Sequence, residues 1–299
     1  MSDKQSIYDA ITSKIIAAVE ANPGAPKMPW HRNAGMPLMP SNAHTKNRYR
    51  GINVVSLWCT AEDLGYTLPI WATYRQWAQI DCQVRKGERA TPIVFYREFS
   101  VEPEPDAADD DGKRRMIRGS WVFNANQVDG YPVTAENSDL GPVARTQAFD
   151  EFVAGTGARI EHGGDRAFYR PSTDTITMPD EGRFCGTDTT TRDQAYMSTL
   201  AHELAHFSGA SHRLNREFGK RFGDAAHVAE EICAELTACF ICAELGICSE
   251  PRPDHAQYIA HYLALLKDNN RAIFSAAAKA AQAVDYLKGL AAQSPANAA

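Results

Sequence analysis

The chain has 299 residues, 44% of them hydrophobic and 23% charged, with a formal net charge of −6. That length supports about two domains with cores of their own, and the composition excludes a disordered or fibrous chain. No uncharged apolar run reaches the ~18 residues a membrane span needs, and the polar start MSDKQSIYDA lacks a signal-peptide core, so a cytoplasmic protein with no membrane partner is expected.

Ile7, Ile11, Ile15 and Val19 recur at helical spacing, and Asn22-Pro23-Gly24 ends that helix. A Pro- and Met-rich extended stretch follows over 24–45. Helices are expected over Asn53–Leu64 and Thr73–Gln79, and strands over Pro92–Val101 and Met116–Asn124. The acidic EPEPDAADDD (102–111) between these strands has nothing to bury and reads as the exposed loop of a long hairpin. Residues 1–131 hold all five tryptophans and carry 16 Lys and Arg against 15 Asp and Glu, whereas the remainder carries 15 against 22. Two differently built halves account for this. The expected fold is α+β: a mixed α/β domain over 1–131, a Pro/polar linker over 132–145, and a mainly helical domain with a small sheet over 146–299.

Basic and aromatic residues interleave in the first half. Trp30 with Arg32, then Lys46, Arg48, Tyr49 and Arg50, then Trp71, Tyr74 and Arg75, then Arg85, Lys86 and Arg89 repeat the theme. Aromatic faces beside cations are what a single-strand nucleic-acid binder needs. Burial is nevertheless the commoner fate of tryptophan, and a solvated surface that of Lys and Arg.

The second half carries His202-Glu203-Leu204-Ala205-His206. Positions i and i+4 of a helix share a face, so both imidazoles reach one metal ion while Glu203 is placed to act as general base. Tyr196, Leu200, Leu204 and Phe207 supply the apolar stripe of that helix on the side away from His202, and Gly209 is a plausible stop. The third ligand has two candidates. HELAHFSGASH fits the longer metzincin pattern, which makes His212 a ligand, but no Met-turn follows because the last methionine is Met197. The favoured candidate is Glu231 on the next helix, Ala225–Leu245, where Glu235 one turn on would hydrogen-bond a ligand imidazole and fix its tautomer. That helix is otherwise largely apolar, and carboxylates on a buried helix need partners. Helices are also expected over His255–Asn269 and Arg271–Leu290, with Tyr258, His261 and Tyr262 as candidate oxyanion donors. The seven cysteines form no disulfide framework and read as reduced, buried thiols.

The motifs PWHRN (29–33), NRYRGINVVSL (47–57), WATYRQW (71–77), VRKGERATPIVFY (84–96), FNANQVDG (123–130), YRPSTDTITMPD (169–180), AHELAHFSGASHRLNR (201–216) and AEEICAELTACFICAELG (229–246) together resemble antirestriction proteins of the ArdC type, encoded on conjugative plasmids. The first half also resembles a domain of some plasmid primases. The resemblance implies an N-terminal domain that binds single-stranded DNA without sequence preference, and a C-terminal zincin-like metallopeptidase domain. It further implies one divalent ion, zinc, and protection of an incoming plasmid strand from host restriction, with a host restriction component as a possible protein substrate. Zincins carry an edge strand beside the active-site helix, and Asp174–Asp180, ended by Pro179, is the candidate; an ordinary sheet strand is the equal alternative. Two other functions fit the same residues: a non-enzymatic single-strand binder with a structural or vestigial metal, and a DNA-tethered peptidase that cleaves DNA-bound proteins.

Overall fold

The computed structural model describes residues 3–21, 28, 30, 38–100, 113–132, 142–187, 190–218, 225–247 and 256–293. The first half begins with helix α1 (Asp3–Glu20) and continues through β1 (Ser41–Asn42), α2 (Ile52–Leu64), β2 (Ile70–Ala72), α3 (Tyr74–Ala78), β3 (Gln83–Val84), β4 (Thr91–Ser100), β5 (Lys113–Asn124) and β6 (Val128–Asp129). Among the described residues these strands form a four-stranded sheet, β1-β2-β5-β4, and a two-stranded one, β3-β6. The expected hairpin forms, with β4 and β5 in unbroken antiparallel register from Thr91–Val122 to Ser100–Lys113. The acidic stretch 102–111 lies outside the described residues.

Three local devices fix this half. Thr73 and Gln76 make a capping box that starts α3. On the outer edge of β4, the Asn53 side chain accepts from the Val94 N–H at 2.8 Å and donates to the Val94 carbonyl at 2.8 Å, so an amide covers an otherwise open sheet edge. Gly119 on β5 admits α1: a Cβ there would lie 2.6 Å from Ile7 Cδ1.

The second half contains α4 (Pro142–Thr156), β7 (Arg159–His162), β8 (Phe168–Arg170), β9 (Thr175–Met178), α5 (Arg192–Gly209), α6 (Ala226–Glu244), α7 (Ala256–Asp268) and α8 (Ala272–Gln293). Helix α4 begins inside the stretch expected to be linker, and Pro at a first helical position is tolerated because that N–H needs no partner. Of the two readings of Asp174–Asp180, the ordinary sheet strand is the one that forms and the edge strand does not. In the order β7-β9-β8, β9 is central, parallel to β7 and antiparallel to β8. Ile176 and Met178 are both fully buried, and that requires cover which an edge position would not give. The edges are β7 and β8.

The two halves pack closely: one apolar cluster draws residues from both, and a second, smaller one around Trp77 and Val84 lies within the first half. Trp58 of α2 meets Phe240 of α6 at 5.8 Å between ring centroids, and Tyr8 of α1 meets Phe274 of α8 at 4.5 Å. Five of the described cysteines are buried, but Cys185 is exposed, and burial pushes the Cys59 and Cys233 thiols up to about 12. No helix among the described residues is long and apolar enough to cross a membrane.

Candidate metal centre

Helix α5 starts at a capping box between Thr191 and Gln194 and runs 18 residues, long enough to carry the HELAH segment on a packed, regular turn. The two imidazoles meet edge to face, with Nε2 of His202 and Nε2 of His206 3.1 Å apart. Helix α6 lies against α5 and brings in Glu231, whose Oε2 is 3.6 Å from His202 Nε2 and whose Oε1 is 3.6 Å from His206 Nε2. The ligand atoms of these three residues all fall within 4.8 Å of one another. Two imidazole nitrogens and a carboxylate converging on one point are a donor set that fits a divalent cation. Glu203, between the histidines in sequence, is only 3% exposed.

The electrostatics point the same way. Burial pushes the Glu231 carboxyl up, but the hydrogen bond of His202 and the charge of His206 outweigh it and bring it down to about 2. Burial likewise opposes the charged form of Glu230, and Arg216 and His206 outweigh it, so that carboxyl is also held down. His206 moves up despite burial, because Glu230, Glu231 and Glu203 surround it with negative charge. A site this rich in carboxylate attracts a cation.

The support around the cluster includes a carboxylate that the sequence reading did not single out. The carboxylate that meets a motif imidazole on its far side is Glu230, whose Oε1 lies 3.2 Å from His206 Nδ1. Arg216 holds Glu230 in turn, donating from Nε to Oε2 at 2.8 Å and from Nη2 to Oε1. It also donates to Ser208 Oγ at 3.0 Å and to the Ala205 carbonyl at 2.8 Å, so one guanidinium fixes both the end of α5 and the outer carboxylate. Glu235, one turn further along α6, accepts from Trp30 Nε1 at 3.2 Å and from the Tyr262 hydroxyl at 2.8 Å, deep in the shared core. Helical spacing put Glu235 on the right helix, but it could not say which neighbour that carboxylate would meet.

Gly209 ends α5 as expected, for an added reason. A Cβ there would lie 2.7 Å from Arg216 Nη2 and 2.8 Å from its Cζ, and that guanidinium is only 2% exposed and pinned on several sides. Gly209→Ala is therefore expected to destabilise the fold by about 1–3 kcal/mol, read as a lower urea midpoint at unchanged slope.

The remaining candidates fall as follows. His212 is exposed, with Nε2 3.4 Å from Asp174 Oδ2, and is not part of the cluster. Asp174 is claimed more strongly by Arg213, which donates from Nη1 at 2.8 Å and Nη2 at 2.7 Å. Tyr262 is committed to Glu235, His261 is exposed, and the Tyr258 side chain lies outside the described residues. His227, which sequence reasoning missed, is exposed with Nδ1 3.9 Å from Glu231 Oε1; its i,i+4 spacing from Glu231 was the available signal.

In the first half, Trp30, Tyr49 and Trp71 are buried core residues and do not present stacking faces. The Tyr49 hydroxyl donates to the Trp71 carbonyl at 3.3 Å, which ties two of them together. Arg48 reaches Glu244 of α6 at 3.3 Å, and Arg50 pairs with Asp285 of α8, so both tie the halves together. Lys46, Tyr74, Arg75, Arg85, Lys86 and Arg89 are exposed, and Arg32 lies outside the described residues.

Residues 5–123 match the family described as the N-terminal domain of anti-restriction factor ArdC, and residues 147–279 match a zincin-like metallopeptidase family. The uncharacterized protein y4eC of Sinorhizobium fredii is 44% identical over 94% of this chain and 91% of its own length. Two DNA primases TraC of Escherichia coli are 33% and 34% identical over 96% and 95% of this chain, which spans only 20% and 27% of their lengths. Crystal structures of the antirestriction protein ArdC from plasmid R388 superpose in a metal-free form with a TM-score of 0.75, 36% identity and coverage of 95% of this chain and 97% of that one. The Mn(II)-bound form gives 0.73, 37%, 96% and 98%. Similar in both halves and along nearly all of its length, the chain belongs to the ArdC family of antirestriction proteins, with a zincin-like second domain.

Proposed function

We propose that the first domain, about 1–131, binds single-stranded DNA without sequence preference and shields incoming plasmid DNA from host restriction during conjugation. The second, about 146–299 beyond a linker at 132–145, is a zinc-dependent peptidase whose substrate is a protein such as a host restriction component. The observation that carries the peptidase reading is the convergence of His202, His206 and Glu231 beside a buried Glu203. A zinc ion held there supplies Lewis acidity and lowers the pKa of water toward neutrality. Glu203 takes a proton from the attacking water and passes it to the leaving amine. Glu230 keeps His206 turned toward the cluster, and Arg216 keeps Glu230 in place. An extended substrate has an edge strand to pair with in β8, which packs beside α5 where Tyr169 meets Phe207 at 6.0 Å.

The test measures casein cleavage and oligonucleotide binding on the same full-length preparation, before and after metal stripping. Cleavage is expected to vanish on stripping and to return with added zinc, while DNA binding persists and weakens steeply with salt. Absence of cleavage with zinc or manganese present would leave a non-enzymatic binder as the correct reading.

A further inference from the structure

Four of the five tryptophans are interior, but Trp121 is 59% exposed on β5. Phe123 lies two residues along the same strand, so both side chains share one face of the sheet, about 7 Å apart. The indole of Trp121 reaches to 4.0 Å from where a Gly119 Cβ would sit, beside the point where Ile7 of α1 covers the strand. From Phe123 the row continues to Tyr74, 54% exposed, whose ring meets that of Phe123 edge to face at 6.4 Å. Beyond these two rings opens a cavity of about 610 Å³ that is also lined by Gln83, Arg85 and Lys86. Its volume suits a small-molecule unit such as one nucleotide. Gln83 donates to the Tyr74 hydroxyl at 3.0 Å, which sets that ring. The two acids at the cavity, Glu88 and Asp129, both pair with Arg85, at 3.0 and 3.6 Å, and Lys86 brings the lining to charge balance. Arg75, exposed next to Tyr74, adds positive charge beyond that balance.

We propose that Trp121, Phe123 and Tyr74 form the stacking track for single-stranded DNA, with one nucleotide entering the cavity at Tyr74 and the backbone following Lys86 and Arg75. This assignment rests on the reading of the first domain as a single-strand binder and names its contact surface. Ring faces stack on any base, so such a track binds without sequence preference. It keeps Tyr74, Arg75 and Lys86 of the set the sequence suggests, but Trp121 and Phe123 take the place of Trp30 and Trp71, which are interior, and Arg48 and Arg50 are paired with acids of the second half.

The experiment is fluorescence anisotropy of a labelled oligo-dT with the full-length protein at low salt. Trp121→Ala and Tyr74→Ala are each expected to weaken binding by roughly five- to a hundred-fold. Phe95 is an equally exposed aromatic, 50%, but it pairs with Arg118 in the register and so lies on the opposite face from Trp121. Phe95→Ala is expected to stay within about twofold of wild type. Wild-type tryptophan fluorescence should be quenched by DNA, and Trp121→Phe, which preserves packing if the alanine variant misfolds, should lose that quenching while keeping part of the affinity. Wild-type affinity in both Trp121→Ala and Tyr74→Ala, or an equal loss in Phe95→Ala, overturns the track while leaving the single-strand reading intact. No binding by the wild-type protein overturns that reading, and the track with it.

Discussion

Glu203→Gln is expected to lower peptide cleavage by roughly 10²- to 10⁴-fold while leaving metal content unchanged. The amide keeps the size of the carboxylate in a site where residue 203 is nearly fully buried, so packing is conserved. It cannot take a proton from water, so the step assigned to Glu203 is removed without removing a donor of the three-residue cluster. Initial rates on casein, paired with metal stoichiometry by emission spectroscopy, check the assignment. Loss of metal from this variant would make residue 203 a ligand and sink the base assignment. The same variant also separates the two activities. Plasmid protection that survives at wild-type level assigns antirestriction to the first half alone, and protection lost with cleavage makes proteolysis its mechanism.

Glu231→Ala is expected to weaken metal binding by more than about 100-fold, because disturbing an outer carboxylate alone costs on the order of 10–100-fold. Glu230→Gln should fall within that lower range, since it touches the ion's environment only through His206. His212→Ala should change nothing, as that imidazole sits on Asp174 outside the cluster. Competition with a chromogenic chelator ranks the three variants. Metal lost from His212→Ala and retained by Glu231→Ala reverses the ligand choice.

The parts of this site that are local in sequence were legible in it. The i,i+4 histidines and the apolar stripe on the far side of the same helix belong to one stretch, and their geometry follows from helix pitch alone. Glu231 came from the pattern of glutamate-zincins, which take a third ligand from the next helix, since burial alone does not separate it from Glu230 or Glu235. The rest needed knowledge of packing between distant segments. Glu230 and Glu235 differ only in which neighbour each face meets, and α5 with Arg216 lies on one side while Trp30 and Tyr262 lie on the other. The strand 175–178 alternates like any half-buried strand, and only its pairing with both β7 and β8 shows it to be central. Tryptophan carries no period in this chain, so the four interior rings and the exposed Trp121 were indistinguishable until the sheet faces were known.

The hydrogen bond from Trp30 to Glu235 has a mechanical consequence. Glu235 sits one helical turn from Glu231 on α6, and its other partner is Tyr262 of α7. The indole thus rivets the first half to the helix that bears the third ligand, while Arg48 and Arg50 lash its surface to α6 and α8. Under the proposed function, a strand pulling on the first half would load these joints, which lead to the helices that carry His202, His206 and Glu231. Tension on DNA bound in that way would then be borne by the framework that sets the distances among His202, His206 and Glu231.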